Sequence, residues 1–414
     1  MGSRIAVVGS GIAGLGAAWQ LSRSHEVVLF EAQSRLGGHT HTHRVMQAGR
    51  EYAVDTGFIV FNRHNYPLLS RLFDELGIES QPTTMGFSVQ DAASGLEYGT
   101  SGFAALFCQR RNLVSPSFLR MLGDIRRFYR ESPALLDEAG DGATLGEYLS
   151  AHRYSAHFIR AHLVPMACAL WSSPARDILE FPAKYLVRFM ANHRMLQLDG
   201  RPEWRVVRGG SSAYIEALQR RWSVQVRAAS PVRAVRRADD ASWVRTDAGD
   251  ERFDHVVLAC HSDEALALLE DPSKDESSVL GAIGYRDNDT VLHTDARLLP
   301  QRRAAWSAWN AHVPAEHDAH CTVSYCMNLL QGFESPEPFV VTLNRSADID
   351  PAKVLARMNY RHPVYEHASV AAQGRRGLIN GPRRTWFAGA YWGFGFHEDG
   401  LRSGLEVADA IGRP

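Results

Sequence analysis

A glycine triplet near the start of the chain constrains the fold more than any other stretch. Gly9-Ser10-Gly11-Ile12-Ala13-Gly14 follows a short run of branched apolar residues, Ile5 to Val8. It leads into a helical Leu15/Ala18/Trp19 pattern and then a second apolar run, Val27 to Phe30. This is β-α-β at its usual length of about 30 residues. In that setting Gly9 permits the tight turn, Gly11 lets main chain approach a pyrophosphate, and Gly14 lets helix and strand pack closely. The helix N-terminus offers N–H donors and partial positive charge to phosphates. Glu31, ending the second strand, accepts hydrogen bonds from an adenosine ribose and repels a 2′-phosphate. Glycine-rich turns are common, so the triplet alone says little; strand, helix, second strand and acid in register say dinucleotide. Ile12, Ala13 and Ala32 flank these positions and join them as expected cofactor contacts.

The 414 residues are too many for one core, since single cores stop growing near ~250–300 residues; two domains, or one with insertions, are expected. With 45% hydrophobic and 22% charged residues the chain has enough apolar surface to fold. Its 45 basic and 46 acidic residues leave a net charge of −1, so no bulk field holds nucleic acid. Cys108, Cys168, Cys260, Cys321 and Cys326 are scattered without a Cys-x-x-Cys pair. Neither a disulfide framework nor a zinc site is expected, and a reducing cytoplasm fits. The uncharged stretch from Ile5 to Leu21 is broken by glycines and shorter than the ~20 apolar residues of a membrane span. A cytoplasmic protein is expected, with peripheral membrane contact permitted.

Farther on, Asn65, Pro67, Leu69/Leu72/Phe73/Leu76 and Gly77 supply start, apolar face and stop of one helix. Ser115-Pro116 opens another, with Leu119, Leu122, Ile125 and Tyr129 as its apolar face, and Thr144-x-x-Glu147 reads as a capping box. Residues from about 110 to 200 therefore read as helical. After Ser223 the spacing shortens to strands at Val224/Val226, Val232 to Val235, Trp243/Val244 and Val256 to Ala259. A second strand-rich stretch runs from Val291 to Phe339, and Asp271 to Ser278 reads as an exposed, turn-rich connection between the two.

Three further segments carry a family likeness: Glu31-Ala32 with Arg35-Leu36-Gly37-Gly38-His39, then Val206-Val207-Arg208-Gly209-Gly210-Ser211, then Phe387-Ala388-Gly389 leading to Gly393–Gly404. Together they resemble the flavin amine oxidase superfamily. At finer grain, Val54-Asp55-Thr56-Gly57-Phe58-Ile59-Val60-Phe61-Asn62-Arg63, Ser307-Ala308-Trp309-Asn310 and the segment from Gly395 to Gly400 resemble a bacterial group of FAD-binding oxidoreductases. That group is similar to the N-terminal region of plant cyclopropane fatty-acid synthases. The methyltransferase region of those plant enzymes is expected to be absent here, which leaves a lipid methyltransferase as a separate partner.

The resemblance implies an α/β fold with a Rossmann-like FAD-binding domain of the glutathione-reductase/amine-oxidase type. That domain is discontinuous over 1–82, 202–270 and 375–414; a mixed α+β substrate domain takes 83–201 and 271–374. It implies that Gly37 and Gly38 pass the pyrophosphate, that Arg35 and His39 contact the cofactor, and that Thr56, Gly57, Phe58, Gly389 and Ala390 line it. Val232 would lie beside the adenine, and Asp399, Gly400, Leu401 and Ser403 would set a helix N-terminus at the flavin pyrimidine. That last placement has a physical reason, because hydride arriving at flavin N5 spreads negative charge over N1 and the C2 carbonyl, which helix N–H groups stabilise. Where such families often carry an acid after Phe-Ala-Gly, this chain has Ala390-Tyr391. No Cys occurs between positions 327 and 414, where monoamine oxidases attach flavin, so non-covalent FAD is expected.

His39, His41 and His43 alternate and would share one face of a strand, but no acid or Cys stands at ligand spacing. A solvated strand or a cofactor edge is expected there, and no metal. His397-Glu398-Asp399 opens the last helix: Asp399 reads as its cap, while general-base and structural roles are equally open for His397 and Glu398. Trp306, Trp309, Tyr325, Phe333, Tyr391 and Trp392 suit either a substrate channel or ordinary core; the resemblance favours Trp309, Tyr391 and Trp392 for the pocket. His293 and Asn328 are further polar candidates. The catalytic candidates are thus His397, Glu398, Trp392 and His293.

Lys184, Lys274 and Lys353 are the only lysines among 45 basic residues. Many amine oxidases of the superfamily hold a lysine, through a water, near flavin N5. The corresponding segment here, roughly Ala282 to Asn310, has none. The resemblance and this gap together imply hydride transfer between an apolar substrate carbon and flavin N5, as in fatty-acyl or lipid dehydrogenation or desaturation. The alternatives are a flavin amine oxidase acting on a small amine, and a flavin-bearing partner protein of a lipid methyltransferase.

Overall fold

Strand Arg4–Val8 is apolar on both faces because it lies inside a parallel sheet covered on both sides. Glu26–Phe30 pairs with it on one side and His255–Leu258 on the other; Val224–Arg227 and Thr385–Phe387 complete five strands, every pairing parallel. Ile5 and Val7 pack with Leu15, Leu21, Tyr214 and Leu401 on the helical face. Ala6 and Val8 pack with Val235, Val244 and Phe253 on the other, which comes from the antiparallel strands Ala234–Arg237, Ser242–Thr246 and Gly249–Phe253. Each fully buried Val or Ile contributes ~1.5–3 kcal/mol, so a polar residue on either face would unseat the strand. The computed structural model describes residues 2–412 except 141, 172–174, 198, 239 and 316–320. Positions 1, 413 and 414, the outer ends of the expected FAD-binding segments, lie outside the described residues.

The first helix, Ile12–Leu21, and the last, His397–Gly412, run against each other through glycines. A Cβ on Gly404 would lie 2.1 Å from the Ala13 carbonyl oxygen, and one on Gly16 would lie 2.5 Å from Leu401 Cδ1. Chain ends nearly 400 residues apart thereby share one close-packed seam.

A second, seven-stranded sheet carries the other half of the molecule. Its order is Val354–Pro363, Tyr285–His293, Val340–Leu343, Thr322–Cys326, Trp309–Val313, Phe87–Asp91 and Leu96–Gly99. All pairings are antiparallel except Trp309–Val313 with Phe87–Asp91. Helices Pro116–Glu131, Val164–Trp171 and Ala183–Asn192 pack over it around Tyr98, Phe118, Phe128, Leu163 and Phe189. Asp55, ending strand Arg50–Asp55, fastens the two halves. Its buried carboxylate accepts from Thr42 Oγ1 at 2.6 Å, Ser211 N at 2.9 Å and Gln331 Nε2 at 3.1 Å, Gln331 belonging to helix Met327–Gln331. Burial pushes its carboxyl up to about 6, while the hydrogen bonds from Thr42 and Ser211 favour its charged form.

Two sequence expectations change. The stretch from Asp271 to Ser278 is not only a turn, because Lys274–Leu280 is a helix. Ser273 Oγ accepts from Glu276 N at 3.1 Å and the Glu276 carboxylate accepts from Ser273 N at 2.7 Å, the same capping box that reads clearly at Thr144. On helix Pro116–Glu131 the core face is Phe118, Met121 and Phe128; Leu122, Ile125 and Tyr129 are only half-buried and Leu119 is exposed. Among the described residues no helix is long and apolar enough to cross a membrane.

Candidate active site

The turn after the first strand works as its glycines require. Gly9 has φ +101° and a Cβ there would stand 2.8 Å from the Ala259 carbonyl oxygen; a Cβ on Gly14 would stand 1.9 Å from that of Gly9. A Cβ on Gly11 would meet nothing within 4 Å, because Gly11 faces open space at the helix N-terminus. Glu31 holds this loop: its carboxylate accepts from Ser10 N at 3.0 Å, Ser10 Oγ at 2.5 Å and Gln33 N at 2.8 Å. Ser10 Oγ in turn accepts from Gly37 N at 3.0 Å. Arg35 donates to the carbonyls of Gly38 at 2.9 Å and Thr40 at 3.2 Å, locking the second glycine turn.

These loops open on one cavity of about 1550 Å³. A single small-molecule site takes roughly 300–1,000 Å³, so there is room for a cofactor and a substrate together. One end is lined by Gly9, Gly11, Ile12, Ala13, Glu31, Ala32, Arg35, Gly37, Gly38 and Val232. His39, Thr56, Gly57, Phe58, Gly389, Ala390, Tyr391 and His397 follow, and the far end is walled by Met85, Phe87, Leu106, Leu122, Ile125, Tyr129, Met166 and Leu170. Contacts link the parts: the His397 Nε2 is 2.9 Å from Thr40 Oγ1, and Phe396 stacks on Phe189 of the helical half at 5.1 Å.

Burial lowers the pKa of all seven histidines that line the cavity, among them His39, His261, His362 and His397. His397 lies flat on Phe58, centroids 3.7 Å apart, and burial pushes it down to about 3. His39 packs 5.2 Å from both Tyr360 and His362 and 6.0 Å from His261. Burial holds His39 and His261 down at about 4 and His362 at about 3. His261, His362 and Tyr360 lie on segments that carry no motif, so nothing local marked them as site residues. They meet His39 only because two sheets converge there.

Several observations fit FAD. Gly11 leaves a helix N-terminus open to the cavity, and Glu31 stands at the end of the second strand. His39 and Tyr391 line the cavity next to these turns.

Other expected site residues stand away from the cavity, each for a local reason. The Glu398 carboxylate accepts from Leu68 N at 2.9 Å and Leu69 N at 3.0 Å, so it caps helix Pro67–Leu76. His293 is sealed in the second sheet, its Nε2 2.8 Å from Thr342 Oγ1 and its Nδ1 accepting from Asp295 N. Trp392 Nε1 donates to the Phe387 carbonyl at 3.0 Å, which turns the indole from the cavity that Tyr391 lines. Asp399 caps the last helix by accepting from Phe394 N and Phe396 N and pairs with Arg402. Gly400 and Leu401 pack on the first helix. Ser403 Oγ accepts from Gly389 N at 2.7 Å and so sets the Gly389 turn from behind. Gly14 lies beneath Gly9.

Among the aromatic residues, Trp309 and Tyr325 line the cavity, whereas Phe333 packs on Tyr52 and Trp306 donates to the Pro300 carbonyl. Asn328 holds Phe339 N at 2.8 Å. His41 and His43 stack at 4.0 Å, with His41 2.9 Å from Tyr360 Oη. No lysine lines the cavity: Lys184 donates to the Glu138 carbonyl, Lys353 pairs with Glu337, and Lys274 begins a surface helix.

The model of the family described as flavin containing amine oxidoreductase matches residues 12–293. The chain belongs to this family. Members of this family are FAD-dependent oxidoreductases, and the nucleotide end of the cavity has the residues that would hold FAD. A flavin-dependent L-tryptophan oxidase of Lentzea aerocolonigenes is 26% identical over 286 residues, covering 64% of this chain and 56% of that protein. The chain thus spans little more than half of that relative's length. Cyclohexylamine oxidase from Brevibacterium oxydans shares the fold at TM-score 0.69 and 15% identity, covering 99% of both chains. A conjugated linoleic acid (CLA)-producing fatty acid isomerase from P. acnes shares it at TM-score 0.70 and 15% identity, again over 99% of both.

Proposed function

We propose that this family member acts on an elongated apolar substrate, most simply a fatty-acyl chain, taking hydride from one of its carbons in a dehydrogenation or desaturation. The observation that carries the reading is the far end of the cavity. The helical half adds Leu106, Leu122, Ile125, Met166 and Leu170 to the lining of a cavity of about 1550 Å³. A small amine would leave most of that apolar wall uncovered. The finer likeness to the oxidoreductase region of plant cyclopropane fatty-acid synthases supports the same substrate class, and the shared fold of a fatty acid isomerase puts acyl chains within the scaffold's reach.

FAD, when bound, accepts the hydride and carries the redox chemistry. The chain's own part is orientation and exclusion of water. Neutral His397, held on Phe58 and hydrogen-bonded to Thr40, offers a fixed polar group on the cavity wall. It is the remaining catalytic candidate with a surface on the cavity. Anaerobic mixing tests the reading: a fatty-acyl lipid should bleach the flavin absorbance, and common amines should not. Bleaching by small amines alone sinks it in favour of an amine oxidase, which the family and the Trp309/Tyr325 pair support. If neither bleaches the flavin and a lipid methyltransferase co-purifies, the role is that of a flavin-bearing partner.

A further inference from the structure

The cavity reaches the surface at Thr100 and Gly102, both exposed and both in its lining. Beside that mouth stands a group of exposed apolar side chains: Phe103 at 72%, Val114 at 79%, and Leu113 and Leu119 at 46% each. The remaining exposed large apolar residues, Met46, Leu329, Leu355 and Leu378, are spread along the chain. An aromatic relay, Phe103 to Phe107 at 4.7 Å and Phe107 to Phe118 at 6.0 Å, joins segment Phe103–Leu106 to helix Pro116–Glu131. Along that helix Leu119, Leu122, Ile125 and Tyr129 follow at three- and four-residue steps on one stripe. Leu119 is exposed and the other three line the cavity, so one apolar track runs from solvent into the interior.

The exposed charge of this patch is basic, while Glu97 is buried beneath it and accepts from the amides of Gln301 and Arg302. Arg110, Arg111, Arg120 and Arg126 belong to the same segment; Arg302 and Arg303 come from the neighbouring loop that packs on Phe103–Leu106. All six are exposed, and among the described residues none of them forms an ion pair. Between positions 99 and 130 the only acid is Asp124, which is buried and paired with Arg127. A second copy of the chain would bring the same six arginines against these, and like charges facing across an isologous contact repel. Apolar residues ringed by unpaired guanidinium groups match acyl tails beneath anionic headgroups.

We propose that this face, Phe103, Leu113, Val114 and Leu119 with their flanking arginines, seats the protein on an anionic lipid bilayer and delivers an acyl chain along Leu119, Leu122 and Ile125. The docking stands on the surface alone; what enters rests on the acyl-chain reading above.

Sedimentation of the flavin-loaded full chain with vesicles tests it. The protein should sediment with phosphatidylglycerol and phosphatidylcholine in equal parts and stay in solution with phosphatidylcholine alone, and added salt should release it. R110Q/R120Q should weaken binding about thirtyfold, from roughly fivefold per arginine. F103S/V114S should abolish sedimentation with its flavin spectrum intact, and M46S/L378S should bind as the unchanged protein does. Absence of binding to either vesicle, or equal binding to both, overturns the proposal. So does a dimer in solution that F103S/V114S dissociates, since a second copy then covers the face. Vesicle binding without flavin bleaching by lipids refutes only the acyl substrate, and bleaching without vesicle binding refutes only the docking.

Discussion

At the nucleotide end of the cavity the wall is mostly main chain; at the far end it is side chains. Gly9, Gly11, Gly37 and Gly38 present backbone to the ligand within two short turns, and Glu31, Ser10 and Arg35 lock those turns to each other. The far wall is assembled from Met85 and Phe87, Leu106, Leu122 and Ile125, Met166 and Leu170, which come from separate strands and helices. A backbone wall tolerates almost no substitution and so keeps one ligand. A side-chain wall can be repacked, and that is the end where members of one family can differ in substrate.

The contrast can be broken in a series of decreasing effect. Gly14→Val places a branched side chain where even a Cβ stands 1.9 Å from a carbonyl oxygen. It should cost ~3 kcal/mol or more and yield protein without flavin absorbance; a yellow, stable Gly14→Val protein would refute the close-approach account. Acid should act next. The folded values of His39, His261, His362 and His397 lie below the ordinary 6.5, at about 3 to 4. The unfolded chain therefore binds more protons in that window. Stability should be full above about pH 6.5 and fall toward pH 4, by up to ~1.4 kcal/mol per pH unit for each histidine buried neutral. Urea midpoints that stay level across this range would show that water reaches the rings.

Glu31→Gln should weaken FAD binding about thirtyfold, because a charged acceptor of hydrogen bonds contributes ~2 kcal/mol; fluorescence of released flavin reads it. Ile125→Trp, at the side-chain end, should raise KM for a long acyl substrate about tenfold with the flavin spectrum unchanged. An unchanged KM would mean that the substrate never reaches the helical half. Glu398→Gln should do least, lowering stability by ~1 kcal/mol through a weaker cap on helix Pro67–Leu76 and leaving the reductive half-reaction near its original rate. A collapse of that rate would return Glu398 to the chemistry.

The same contrast explains what was legible in the residues. The strand-turn-helix at Ile5–Leu21 is local and forms where its spacing implies, and Glu31, Gly37 and Gly38 line the cavity that opens on it. Glu398 shows the limit. Being next to His397 in sequence, it looked equally fit for proton transfer, yet one residue along a helix is a turn of about 100°, and that turn sends its carboxylate to the amides of Leu68 and Leu69. His293 fell to strand alternation in the same way, into the sheet interior. On helix Pro116–Glu131 the stripe Leu119, Leu122, Ile125 and Tyr129 is apolar without being the core face, and its role as cavity wall depends on what faces it.

By itself the sequence determined that the chain builds a β-α-β unit of the dinucleotide-binding kind and that the segment from about Ala282 to Asn310 has no lysine. These follow from spacing, glycine and counting, which act within a few residues or require no geometry. Only the tertiary structure decided which histidines surround His39, that Asp55 and Gln331 bind the halves together, and that Leu122, Ile125 and Met166 enclose a deep apolar space. Those depend on contacts between residues tens to hundreds of positions apart, and burial, which sets their charge and their chemistry, exists only once the two sheets have closed.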